Sequence, residues 1–154
     1  MNPALLRQAI EQAAESVSRG GGPFAALVVK DGAVIAAGSN CVTTSNDPTA
    51  HAEIVAIREA CRALGSFQLT GCDVYCSCEP CPMCLGALFW ARPARIFFAA
   101  AAADAAAAGF DDSLICRQLA LREAERAIPM IHVAEESAQR PFEAWAARPD
   151  KVRY

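Results

Sequence analysis

Histidine is nearly absent from this chain, with two in 154 residues, so a metal centre that uses imidazole has only His51 and His132 to draw on. Long hydrophobic runs are missing as well. The 54% hydrophobic fraction is inflated by alanine at 99–103 and 105–108, and no stretch approaches the ~18 apolar residues of a membrane span. No association with a membrane is expected. There is no excess of basic charge: the formal net charge is -3 and the sequence pI is about 5.4. A protein that grips a phosphate backbone usually carries a basic face, so nucleic acid is not an expected partner. The opening MNPALLRQAIEQAAE has acidic residues early and lacks the basic-then-apolar layout of a signal peptide, which predicts a cytoplasmic address. In that reducing setting the eight cysteines are expected as packing thiols or metal ligands rather than disulfides. Cys41, Cys61, Cys72 and Cys116 stand alone and are expected to pack.

What is present reads as one fold. The length suits a single domain spanning residues 1–154, and no linker or internal repeat divides it. Residues 4–18 place Leu5, Leu6, Ala9, Ile10, Ala13 and Val17 near helical spacing, ended by Gly20 to Gly22 and Pro23. FAALVVK and AVIAAG flank Asp31-Gly32, a strong hairpin signal. A polar loop leads to a second helix ending near Leu64, with Asp47 as a cap and Pro48 suited to its first turn. CDVYCS reads as a strand, residues 81–90 as a helix and ARIFFAA as a strand. The alanine tract and DSLICRQLALREAERA read as helix, packed closely on its neighbours at the tract, and residues 128–133 as a last strand. Helices alternating with apolar strands predict an α/β fold with a sheet between helical layers.

The chemistry concentrates in two short stretches. SCEPCPMC, residues 77–84, holds three cysteines. In a helix starting near Cys81, residues 81, 84, 85 and 88 share a face, so both sulfurs are predicted to point inward with Leu85 and Leu88. A helix N-terminus also favours the thiolate form that binds metal. With His51 from NDPTAHAEIVAIREA they make three ligands, the number that leaves one position of a tetrahedral zinc open, as catalytic zinc requires. Cys78 as a fourth ligand would make the site structural, and Cys76 with Cys78 suggests iron–sulfur spacing. The further cysteine that a cluster needs is missing, however, and Cys78 is expected to pack behind the site. Glu53 shares a helical stripe with Ile57, Ala60 and Leu64, so it faces inward, where a carboxylate can take a proton from water and pass it to a substrate nitrogen. Residues two apart on a helix point apart, so His51 is placed at the very start of that helix.

His51-Ala52-Glu53 followed by Pro80-Cys81-Pro82-Met83-Cys84 matches the H-x-E…P-C-x-x-C pattern of zinc-dependent base deaminases. The wider chain resembles the bacterial guanine deaminases of the cytidine deaminase superfamily through GGPFAALVVKDG, TSNDPTAHAEIVAIREAC, SCEPCPMCLGALFWARP, GFDDS and the terminal tyrosine. That resemblance implies a three-layer α/β/α sandwich with a mixed five-stranded sheet, and hydrolysis of guanine, a small purine base, to xanthine and ammonia. It implies one Zn2+ per subunit on His51, Cys81 and Cys84, with Glu53 as proton shuttle. It further implies Asn40 hydrogen-bonded to the base, Phe24 and Trp90 as apolar walls, and Asp112 on the leaving amino group. In such relatives a homodimer forms, its C-terminal segment, about 135–154 here, crosses to the other subunit, and Tyr154 covers the base. On residue type alone, Asp111-Asp112 reads equally as a helix cap and His132 as a strand residue with no evident partner. A deaminase of cytosine, a nucleoside, a related amino-heterocycle or a transfer-RNA adenine shares the metal pattern, although charge argues against RNA. A non-catalytic zinc module closed by Cys76 or Cys78 leaves Glu53 unexplained.

Overall fold

The computed structural model describes residues 1–153; Tyr154 lies outside the described residues. The chain divides into two compact units, Met1–Ser113 and Leu114–Tyr154.

The first unit opens with α1 (Pro3–Ser18), whose N-cap Asn2 accepts a hydrogen bond from the Ala4 N–H at 3.0 Å. Strands β1 (Ala25–Lys30) and β2 (Ala33–Ser39) form the expected hairpin. Asp31 and Gly32 both take positive φ, 50° and 82°, the requirement of a turn whose twist matches the strands. A short α2 (Val42–Ser45) interrupts the polar loop, and α3 (Ala52–Leu64) follows. Asp47 does not cap that helix. Its carboxylate instead accepts from the Thr49 N–H and hydroxyl at 2.8 and 2.7 Å, a local turn that delays the helix to Ala52.

Strand β3 (Cys72–Cys78), α4 (Pro82–Ala91) and β4 (Arg95–Ala100) then form a βαβ unit, with β3 and β4 parallel. The sheet runs β2-β1-β3-β4, and β1 is antiparallel to both its neighbours, so the sheet is mixed. Strand alternation sorts its two faces. Ala26, Val28, Cys72, Val74 and Cys76 pack with Ala52, Ala56 and Ala60 of α3 and with Leu88 and Ala91 of α4. Leu27, Val29 and Tyr75 meet Leu5 and Ala9 of α1 on the opposite side. The result is three layers with β1 and β3 wholly enclosed.

Contact between β2 and α3 is close to the limit. A Cβ on Gly38 would stand 2.2 Å from the Ala52 carbonyl oxygen and 2.6 Å from the Ala56 nitrogen, so only glycine admits the helix that carries the H-A-E motif.

Among the described residues the sheet has four strands rather than five. Residues 128–133, expected as a strand, pair with no other strand, and a strand without a ladder partner is not one. The alanine tract also departs from expectation: β4 runs to Ala100, α5 (Ala102–Ala107) is short, and it buries none of its residues. In the second unit α6 (Ser113–Ala120) stops well before Ala127, followed by a 3-10 turn at Glu123–Glu125, another at Glu136–Gln139, and α7 (Arg140–Ala147). Ile128, Ile131 and Val133 are 81%, 81% and 76% exposed.

Candidate active site

Two helix N-termini on one face of the sheet create the site. His51 is the N-cap of α3 and Cys81 the N-cap of α4, both with extended backbone, so each precedes the regular turns of its helix. This placement resolves the register problem at H-A-E. His51 leaves the chain before the helix begins, while Glu53, in the first turn, points into the core and is 8% exposed. Ala60 is fully buried on the same stripe, and Ile57 and Leu64 pack against the core below it. Cys84 lies in the first turn of α4 and is fully buried, as is Leu88 one turn on. Leu85, expected to share that inward face, is 40% exposed instead, so the inward stripe of α4 is Cys84, Leu88 and Ala91.

The ligand atoms of His51, Cys81 and Cys84 lie within 4.8 Å of one another, and the Cys81 sulfur is 3.5 Å from His51 Nδ1. Among the described residues the set stops at these three: Cys76 and Cys78 lie on β3, where Cys76 is core and the Cys78 thiol faces the Ala101 carbonyl at 3.7 Å. All eight cysteines are free thiols, and Cys116, expected to pack, is exposed. A set of two soft sulfurs and one imidazole fits zinc.

Protonation follows the geometry. The Cys81 thiol is drawn down to about 4, first by the hydrogen bond from the Cys84 thiol and next by His51. The same bond, followed by burial, holds the proton on Cys84 and pushes its pKa up. His51 is raised by its bond to Cys81. Burial raises Glu53, so this carboxyl holds its proton more tightly than one in water.

Asn40 is 8% exposed, and the following residue, Cys41, donates its N–H to the carbonyl of Ala50, the residue before His51, at 2.9 Å. The Asn40 Oδ1 accepts from the Val42 N–H at 3.3 Å, and its own N–H donates to the Phe24 carbonyl at 3.0 Å. Phe24 packs against the core and meets Phe110 edge to face, with ring centroids 5.0 Å apart. Phe110 escaped the sequence reading although it lies inside GFDDS; an aromatic ring among turn residues was the available signal. Asp112 is half-buried, and Asp111 accepts from the N–H of Ser113, the first residue of α6, at 2.8 Å, a local turn that leads into the helix. Trp90, on α4, is 66% exposed, and His132 is exposed. Tyr154 lies outside the described residues.

A family model of the cytidine and deoxycytidylate deaminase zinc-binding region matches residues 2–100. The chain is 55% identical to the guanine deaminase of Bacillus subtilis over 97% of its own length and 96% of that protein's. The crystal structure of that enzyme superposes with a TM-score of 0.98, covering 100% of this chain and 99% of the other. A guanine deaminase from Nitrosomonas europaea is more distant, at 35% identity and a TM-score of 0.67, covering 70% of this chain and 63% of its own. The tRNA-specific adenosine deaminase of Aquifex aeolicus is 42% identical over 62% of this chain and 63% of its own length.

Proposed function

We propose, since the chain belongs to the cytidine and deoxycytidylate deaminase zinc-binding family, that it hydrolyses guanine to xanthine and ammonia in purine catabolism. The observation that carries this reading is a buried carboxyl, Glu53, beside three convergent metal donors in a chain that matches a guanine deaminase from end to end.

His51, Cys81 and Cys84 would hold one zinc ion per subunit. When bound, zinc supplies Lewis acidity that makes a water nucleophilic at neutral pH. The chain's own residues do the rest. Glu53, on the first turn of α3, takes a proton from the attacking water and delivers it to the ring nitrogen beside the attacked carbon; a second proton then goes to the departing amino group, which leaves as ammonia. A raised Glu53 pKa suits a group that must accept and return protons. Asn40 hydrogen-bonds the base through its amide, Phe24 forms one apolar wall, and Trp90 a second. Asp112 hydrogen-bonds the amino group as it leaves. No helix among the described residues is long and apolar enough to cross a membrane, and the cytoplasm is the proposed location. The working unit is a single domain that functions as a homodimer, in which residues from about 135 to 154 cross to the other subunit and Tyr154 closes over the base. Support comes from large apolar side chains that the chain leaves exposed, Phe89 at 74% and Ile128 and Ile131 at 81% each.

The test is ammonia release by the zinc-loaded protein from guanine, adenine, cytosine, cytidine and a tRNA anticodon stem-loop containing adenosine. Xanthine formed from guanine, with one zinc per subunit by elemental analysis, is the expected result. Turnover of the RNA or of cytidine with none of guanine overturns the assignment.

A further inference from the structure

Gly22 has no backbone need to be glycine. Unlike Gly20, Gly32, Gly65, Gly71 and Gly109 it does not take positive φ, so an L-residue fits its conformation. What excludes a side chain is Asn40. A Cβ built on Gly22 would stand 2.9 Å from Asn40 Cγ, 3.0 Å from its Oδ1 and 3.3 Å from its Cβ, and these are its nearest neighbours. The two residues are also tied through the main chain. The Gly22 N–H donates to the Asn40 carbonyl at 3.3 Å, the Phe24 N–H to the Gly22 carbonyl at 2.9 Å, and the Asn40 N–H to the Phe24 carbonyl at 3.0 Å. Asn40 is thereby clasped between the bare face of Gly22 on one side and the Val42 N–H, bonded to its Oδ1, on the other.

We propose that Gly22 is a positioning residue for substrate recognition: its missing side chain fixes the Asn40 amide in the single rotamer that presents the amide group to the base. This rests on the assignment of Asn40 to base binding. Because the two tightest contacts are with Cγ and Oδ1 of one side chain and not with backbone, a methyl group at position 22 is relieved by rotating Asn40 about its Cα–Cβ bond, which swings the whole amide away, while the Cβ contact at 3.3 Å is eased by a shift of a few tenths of an ångström. The fold survives and the recognition group is lost. Its neighbour behaves differently. A Cβ on Gly21 would lie 2.6 Å from the Asn40 backbone oxygen and 2.4 Å from the Ser16 hydroxyl oxygen, a collision with main chain that no side-chain rotation removes. Gly86 on α4 meets nothing within 4 Å.

The experiment uses the zinc-loaded full chain and the variants G22A, N40A, the double variant G22A/N40A, and G86A as the control. Expected for G22A are wild-type zinc content, a melting temperature close to that of G86A, and a roughly 10- to 100-fold fall in kcat/KM for guanine, the scale of one lost buried hydrogen bond. The double variant should be no worse than N40A, because there is then no amide left to displace. Independently of turnover, the side-chain amide resonance of Asn40 should shift in G22A and stay in place in G86A. Losses in the double variant that multiply, or an unmoved amide resonance in G22A, overturn the proposal. Absence of guanine turnover in the wild-type protein would defeat the substrate assignment instead, while the amide resonance still decides whether Gly22 positions Asn40.

Discussion

On the proposed mechanism a single carboxyl separates a metal-holding module from an enzyme. Glu53 belongs to no ligand set, since the convergent donors among the described residues are His51, Cys81 and Cys84, yet it occupies a core position where an ionisable group is costly. Such a residue persists where its proton chemistry is used. Glu53→Gln preserves size and hydrogen bonding but not basicity. The variant is expected to keep one zinc per subunit and to lose about 10²–10⁴-fold in ammonia release. Elemental analysis together with a steady-state assay checks both halves, and a zinc-loaded variant of normal activity refutes the shuttle role. At this scale the sequence was informative because the motif is local. H-A-E and C-P-M-C each span a single helix start, and chain geometry there leaves little freedom. The contacts of Phe110 with Phe24 and of Gly22 with Asn40 were invisible because the partners are distant along the chain.

Elements, by contrast, were legible where periodicity was strong and misread where composition stood alone. The hairpin, the βαβ unit and the inward stripe of α3 follow from turn chemistry and alternation. Alanine gave a helix signal of the correct kind, but a methyl group has little to bury, so α5 lies exposed rather than packed. Residues 128–133 have strand-like side chains, and no sequence pattern supplies the neighbour a strand requires. The element that most directly controls the site is α3, whose N-terminus is set by its backbone contact with Gly38. Gly38→Ala places a methyl group against the Ala52 carbonyl and the Ala56 nitrogen, neither of which can rotate away. The expected cost is about 1–3 kcal/mol of stability. Zinc affinity should fall as well, because α3 carries His51. Thermal denaturation and zinc competition against a chelator measure the two effects, with Gly86→Ala as the reference. A Gly38→Ala protein with unchanged melting and zinc affinity would show that the site does not depend on this contact.

For the whole molecule, the question is whether each site is built by one chain or two. Large apolar side chains remain exposed on the chain, including Phe89, Ile128, Ile131 and Phe142. Soluble chains rarely leave so much apolar surface uncovered, and closed twofold assembly is the commonest way to cover it. Sedimentation is therefore expected to give a dimer. Whether the tail crosses over is decided by complementation. On the proposed roles, removing Tyr154 from one subunit takes away the lid and Glu53→Gln in another takes away the proton shuttle, so homodimers of either kind are expected to be inactive. If the tail acts within its own chain, a mixed dimer contains two broken sites. If it crosses, the Glu53→Gln subunit lends its intact tail to the truncated subunit, whose Glu53 is intact, and one site in each mixed dimer works. Co-expression at equal levels makes half the dimers mixed, so crossing predicts roughly a quarter of wild-type guanine turnover. Activity at the level of the separate variants places the tail on its own subunit, and full activity of the Tyr154 deletion alone removes the lid.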